Sequence, residues 1–325
     1  MKRLLTNFKI VIKLVYTKKT ISFIKFLKGI HLFMQIMDNS SVFSLSFTDT
    51  VRFRKIVLDV LSEACQIPDD GDEYGGIGTL GEKQMHAAIK RFICPDESCH
   101  EILIDGSALC IERDDGGKDN EEKTVKKKKR RFVADVLLND TIYEIQTGPF
   151  SPLREKIQWI LDNTAYKIVV IHPIAETKWL NYINGKSGEV ERRQKSPQRG
   201  KFTDIAGELY YLRDFIGNPR FSLVLLMMEA EQYKKKTAEK SRRRSQYRKY
   251  ELIPVSLLRA HVFKTLDDYR AFIPHNLPSP FCVKDYSSLS GIKGRDAYSI
   301  VKTLTYLGLI AEAGKLGRAA AYTVK

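Results

Sequence analysis

The apolar residues of this chain follow two periods. In FTDTVRFRKIVLDVLSEACQI (47–67), Val51, Ile56, Val57, Val60 and Leu61 recur at helical spacing. TLGEKQMHAAIKRF (79–92) repeats the pattern with Met85, Ala88, Ile89 and Phe92, and Thr79 with Glu82 has the spacing of a capping box. SPLREKIQWIL (151–161) predicts a third helix, with Ser151 as N-cap and Pro152 at the first helical position. Strand patterns occupy HEILIDG (100–106), FVADVLL (132–138) and TIYEIQT (141–147). YKIVVIHPI (166–174) and FSLVLLMME (221–229) are near-continuous apolar runs, as in strands buried on both faces. The order helix, three strands, helix, strand predicts a mixed α/β core.

Other stretches set boundaries. Residues 68–78 form an acidic, glycine-rich loop, and 112–131 a charged insertion between strands. ETKWLNYINGKSGEV (176–190) reads as a hairpin around Asn184-Gly185, followed by a basic loop at 191–201. After Pro280 a short helix and turn precede GRDAYSIVKTLTYLGLI (294–310), with Ala297, Ile300, Val301, Leu304 and Leu307 on one stripe. A two-stranded wing around Gly314 to Gly317 follows, so this tail reads as a small winged helix-turn-helix domain. The expected division is a basic apolar extension (1–46), an α/β domain (47–255), a helical linker (256–279) and the winged unit (280–325).

Charge changes the picture by its location. The chain has 325 residues and a net charge of +15. Residues 1–37 carry +8, KTVKKKKRR (123–131) +7 and 234–249 +8, which leaves −8 for the rest. Basicity confined to segments suits contact with a polyanion. Solvated loops without a partner are the plainer reading. Five cysteines without a CxxC read as reduced thiols of a cytoplasmic protein. Cys94, Cys99, His86 and His100 match no common zinc spacing. The apolar runs before Met37 are broken by Lys25 and Lys28, so no stable membrane insertion is expected. Translation starting at Met34 or Met37 accounts for that segment; a basic helix lying on a membrane is the other reading.

The chemistry concentrates in DVLLNDTIYEIQT (135–147). With Asn139-Asp140 as a two-residue turn, opposed positions sum to 279, so Asp135 faces Glu144 across the hairpin. Gln146 lies two residues beyond Glu144 on that face. Opposed carboxylates destabilise a sheet. A hard divalent cation between them reverses the sign, and such ions activate water and offset charge on a phosphate. A solvent-facing acidic pair is the alternative, against which Val133 and Ile142 on the same face argue.

Asp, a short gap, then Glu-x-Gln on adjacent strands, preceded by a helix with Glu82, resembles the PD-(D/E)XK nuclease superfamily. More narrowly, TLGEKQMHAAIKRF, ADV…YEIQTGPFSPLREKI and VVIHPIAETKWL resemble a bacterial family of uncharacterised nuclease-like proteins with a C-terminal winged helix, over roughly residues 76 to 325. The resemblance implies a restriction-endonuclease-like mixed sheet flanked by helices and a Mg²⁺- or Mn²⁺-dependent deoxyribonuclease. It implies Asp135, Glu144 and the Ile145 carbonyl as metal ligands, and Glu82 as a further acid. Gln146 departs from the usual lysine; Lys156 on the next helix is a candidate substitute, with an ordinary exposed helix lysine the plainer reading. His86, one turn after Glu82, reads as a packed histidine, and Glu101 as a surface acid beside the cluster. Lys293, Arg295 and Lys302, with Lys315 and Arg318 in the wing, are the expected DNA contacts. Arg243, Arg244 and Arg248, interleaved with Tyr247 and Tyr250, suggest phosphate contact with base stacking. The alternative function is a non-catalytic DNA-binding or regulatory protein on a decayed nuclease fold.

Overall fold

The computed structural model describes residues 41–44, 47–64, 79–105, 131–184, 189–236 and 246–325, and of 41–48, 64 and 79–83 the backbone only. The 68–78 loop, nearly all of the 112–131 insertion, Arg243, Arg244 and the Glu82 side chain lie outside this set.

Among the described residues an eight-stranded mixed sheet organises the fold. Its strands are β1 (Ser41–Ser44), β2 (His100–Ile104), β3 (Phe132–Leu138), β4 (Thr141–Ile145), β5 (Lys167–Ile183), β6 (Val190–Lys195), β7 (Phe221–Lys236) and β8 (Tyr247–Phe263). The spatial order is β1-β8-β7-β5-β4-β3-β2, with β6 on the outer half of β5. The pairs β4/β5 and β5/β7 are parallel and the others antiparallel.

Helices cover both faces, because the central strands are apolar on both. On one face α1 (Phe47–Ala64) and α2 (Thr79–Ile93) bury Phe53, Met85, Ile89 and Phe92 against Val136, Tyr143, Val169 and Val224. Val51, expected in that core, is exposed, and Phe53 takes its place. On the other face α3 (Leu153–Asn163) sets Ile157 and Ile160 against Ile142, Ile168 and Leu223. It begins one residue later than expected. Pro152 is its N-cap with helical dihedrals, and Ser151 makes no cap. Arg220 closes the far end, donating to the carbonyls of Leu161 and Thr164. Cations are favoured there, where four carbonyls lack helical partners.

Four boundaries differ from expectation. The last residues of the 1–46 extension form β1, paired with β8 from Ser41 to Ser44. The 256–279 segment is no helical linker: β8 runs through Phe263, and only Asp267–Phe272 coils, as a 3-10 turn. The hairpin after β5 forms, but its return strand β6 occupies Val190–Lys195, inside the expected basic loop. The basic stretch around Tyr247 and Arg248 likewise starts a strand rather than a loop.

The last residues make a compact unit of their own secondary structure. After a short helix α4 (Leu209–Leu212) and β8 come β9 (Phe281–Cys282), α5 (Val283–Ser290), α6 (Gly294–Tyr306) and the hairpin β10 (Ile310–Leu316)/β11 (Ala319–Val324), which pairs with β9. Gly291 ends α5 at φ 74°, a left-handed geometry that suits glycine. This unit shares its core with the α3 side of the sheet. Phe281, Tyr286, Ile300 and Leu304 belong to the same apolar cluster as Ile157, Leu212, Phe263 and Phe272.

Candidate functional site

The β3–β4 hairpin forms in the expected register. Leu138 opposes Thr141, Leu137 opposes Ile142 and Val136 opposes Tyr143, around a turn in which Asn139 takes φ 54°. The paired register stops there, one step before Asp135 and Glu144. On the other side β2 pairs His100 with Val136 and Ile102 with Ala134, which sets Glu101 opposite Asp135. Three carboxylates thus stand in one row across β2, β3 and β4. Regular pairing ends at this row: the Ile145 N–H donates 2.7 Å to Asp135 Oδ2, and Glu101 takes φ 54°.

Each acid meets a cation or imidazole from a covering helix. His86 and Lys90, four apart on α2, share a helix face. His86 Nε2 donates 3.0 Å to Asp135 Oδ2, and Lys90 Nζ donates 2.8 Å to Glu101 Oε1. From the opposite face Lys156 on α3 donates 2.5 Å to Glu144 Oε2 and also to the Val133 carbonyl. Glu144 is the most enclosed, at 4% side-chain exposure against 19% for Asp135. Its Oε1 is buried without a hydrogen-bond partner.

These surroundings drive the two central acids apart. Burial pushes Glu144 up to about 7, reinforced by the Asp135 charge and opposed by Lys156. Burial also raises Asp135, but the His86 hydrogen bond and charge, the Ile145 N–H and Lys156 together hold it below the usual carboxylate value. Asp135 is therefore the charged member near neutrality and Glu144 the one poised to exchange a proton.

The expected residues are gathered unevenly. Asp135, Glu144 and Lys156 meet, and the Ile145 backbone bonds to the Asp135 carboxylate. Gln146 lies past the end of β4 and donates 2.6 Å to the Pro149 carbonyl, while its own carbonyl bonds His172 Nδ1. His86 is no mere packing residue, since it holds Asp135; the Glu82-to-His86 spacing was the signal that could have shown this. Lys90 carried no such signal. Among the described residues no group of three or more His, Cys, Asp or Glu side chains is arranged to hold a metal ion. His100 bonds the Cys94 carbonyl.

The expected DNA contacts in the tail, Lys293, Arg295, Lys302, Lys315 and Arg318, are all exposed. Arg295 and Lys302 border a 380 Å³ crevice between α6 and residues 207–211, floored by Tyr210 and Tyr298. Gly207 approaches Asp296 so closely that a side chain there would collide with it. Arg248 lies on β8, far along the chain from this unit. No helix among the described residues is long and apolar enough to cross a membrane.

Comparisons with known proteins cover this region. The model of a Domain of unknown function (DUF8091) matches residues 117–264, from just before β3 to the end of β8, and so includes Asp135, Glu144 and Lys156. An uncharacterized protein of Treponema pallidum (strain Nichols) is 24% identical over 250 residues, 76% of this chain and 86% of the relative. No solved structure matches this chain.

Proposed function

We propose that this chain is a divalent-metal-dependent nuclease acting on DNA phosphodiester bonds, with residues 280–325 as a DNA-binding winged helix-turn-helix. The observation that carries the reading is the meeting of Asp135, Glu144 and Lys156 at the end of β4, with Glu144 Oε1 buried and unpartnered. A buried carboxylate oxygen without a partner is costly. Asp135 and Glu144 suit a hard cation, which needs one or two carboxylates with water and phosphate oxygens completing its shell. A bound Mg²⁺ or Mn²⁺ would supply an activated water and offset charge on the phosphate.

The protein's own groups have separable roles. His86 and the Ile145 N–H hold the Asp135 carboxylate in one orientation. Lys156 supplies the positive charge that Gln146 cannot, and it reaches Glu144 from the helix instead of from the strand. Glu144, with its raised pKa, can take or return a proton near neutral pH. The non-catalytic reading draws on one observation: His86 and Lys156 already compensate both acids, as in a structural ion-pair network.

Cleavage assays with Mg²⁺ or Mn²⁺ on single-stranded, duplex and branched DNA and on RNA test the proposal. Wild type is expected to cut DNA, and Asp135→Asn to lose at least about a thousandfold in rate, since water activation and charge stabilisation go together. Binding in EDTA is expected to stay within about twofold, because it comes from remote cations. No cleavage of any form, with no metal-induced rise in Tm, would leave the binding-protein reading standing.

A further inference from the structure

Beyond residues 176 of β5 and 229 of β7, the sheet continues as a four-stranded blade in the order β6-β5-β7-β8. Pairing registers fix which side chains share a face. Tyr182 opposes Arg192 on one side and Lys234 on the other, and Lys234 opposes Lys249. Arg192, Tyr182, Lys234 and Lys249 thus form one row across all four strands. At about 4.8 Å per strand, its cations span about 14 Å.

The two faces of the blade differ in how their charge is balanced. On the face carrying Trp179 and Asn181, Arg193 pairs with Glu231 at 2.8 Å, and Trp179 donates to Glu229 at 2.9 Å. On the face of the cationic row, Arg192 and Lys234 lie over the Tyr182 ring, and the nearby Glu191 carboxylate accepts from the Tyr247 hydroxyl at 3.2 Å. Lys234 and Lys249 stand directly opposite one another, which weakens a sheet unless an anion lies over them.

The row also leads somewhere. The next pair inward on that face, Gln232 and Leu252, lines a 350 Å³ cavity together with Lys249. Met85, Thr147, Gly148 and the acid Glu251 line it too. Met85 adjoins His86 in the chain, and Thr147 comes three residues after Glu144, so the cavity wall and the acid row draw on the same α2 and the same exit from β4.

We propose that this face of the blade docks double-stranded nucleic acid through its phosphates and leads it toward Asp135 and Glu144. The inference rests on the nucleic-acid reading above and adds the surface and the form of the ligand. Duplex rather than single strand follows from the aromatic rings. The Tyr182 ring lies under the Arg192 guanidinium at 4.4 Å and Lys234 at 5.5 Å, with Tyr247 edge-on at 4.8 Å. A ring so covered offers no platform for an unpaired base, on which single-strand binding depends. A duplex presents about one charge per 1.7 Å of its axis, dense enough to meet every cation of the row.

The test uses the full chain and a short fluorescent duplex in EDTA. Arg192→Ala/Lys234→Ala/Lys249→Ala is expected to lose at least about tenfold in affinity at 0.1 M salt, and its log–log salt slope to fall by about 2.7, for three phosphate contacts. Arg192→Lys/Lys234→Arg/Lys249→Arg, which keeps the charge, and Lys195→Ala/Lys235→Ala on the other face are expected to bind as wild type. The proposal is overturned if the triple alanine variant binds unchanged, if the other-face pair costs as much, or if single strands bind more tightly than duplex. It is equally overturned if only binding to phosphatidylserine vesicles is lost. Asp135→Asn separates the two readings. If wild type and Asp135→Asn both bind duplex through this face but neither cuts, the docking surface stands without the nuclease. If wild type cuts while the triple alanine variant binds unchanged, the nuclease stands without the docking surface.

Discussion

Asp135 and Glu144 face one another across a hairpin, yet their protons behave oppositely. The difference lies in what else each oxygen touches. Asp135 accepts a backbone N–H and the His86 ring, whereas Glu144, more deeply buried, has Lys156 and the Asp135 N–H to offset burial and one oxygen without a partner. Because its folded-state pKa is raised from 4.5 to about 7, folded protein binds the Glu144 proton more tightly than unfolded chain. The stability this confers is full below the unfolded value and is lost as pH climbs from 4.5 to about 7. The expected loss is at most about 3 kcal/mol. Denaturant unfolding in EDTA at a series of pH values should show that decline in wild type and a shallower one over the same window in Glu144→Gln, where Glu251, also raised by burial, still titrates. An equal decline in the variant would assign the proton to another group.

At the scale of elements, α3 brings Lys156 to the site from its first turns and is held at the other end by Arg220. That guanidinium reaches from the segment before β7 to the carbonyls of Leu161 and Thr164, with the Tyr166 carbonyl at 3.5 Å. It satisfies acceptors that the helix itself leaves open. Arg220→Ala should destabilise the fold by about 1–3 kcal/mol, as expected when hydrogen bonds from a charge to half-buried acceptors are lost. Arg220→Lys should recover only part, because an ammonium does not reproduce the planar fork. Chemical denaturation measures both. The proposed cleavage should be nearly normal in folded Arg220→Ala, since Lys156 lies at the opposite end of the helix. A variant as stable as wild type would mean that solvent serves these carbonyls equally well.

For the whole molecule, the decisive fact is a core that does not stop where the chain changes pattern. Pro278 and Pro280 look like a boundary in sequence. Across it, however, Tyr286 donates its hydroxyl 2.6 Å to the Phe272 carbonyl, and Phe281, Ile300 and Leu304 pack in one cluster with Phe263 and Leu212. Ending the chain at residue 279 would expose the Phe263, Tyr269 and Phe272 side chains that now sit under that unit. We expect such a truncation to lower Tm by more than about 10 °C or to abolish cooperative unfolding, as a loss of several kcal/mol implies for a domain this size. A truncated protein melting like the intact one would show that the tail is a separate unit. DNA binding by the tail is best tested in the intact protein, through Arg295→Ala/Lys302→Ala.

Local pattern determined a good deal by itself. The periodicity located α2, β2, β3, β4 and α6 to within a few residues, and the Asn139-Asp140 turn dictated the register that opposes Asp135 and Glu144. Period and turn chemistry act between neighbours, so they are legible in a string of residues. Pattern failed where the outcome depended on distant segments. Residues 190–195 and 247–256 are too polar to read as buried strands, and they become strands because β5 and β7 provide long edges to pair with. Val51 yielded its core position to Phe53 because the sheet, not the helix, decides which side of α1 is inside. The partners of the acids are of the same kind. His86 and Lys90 come from 49 and 11 residues before Asp135 and Glu101, and Lys156 from 12 after Glu144. Hydrogen bonds and burial are set by proximity in space, so only the tertiary structure decided that one carboxylate would be clamped and its neighbour left with a bare, buried oxygen.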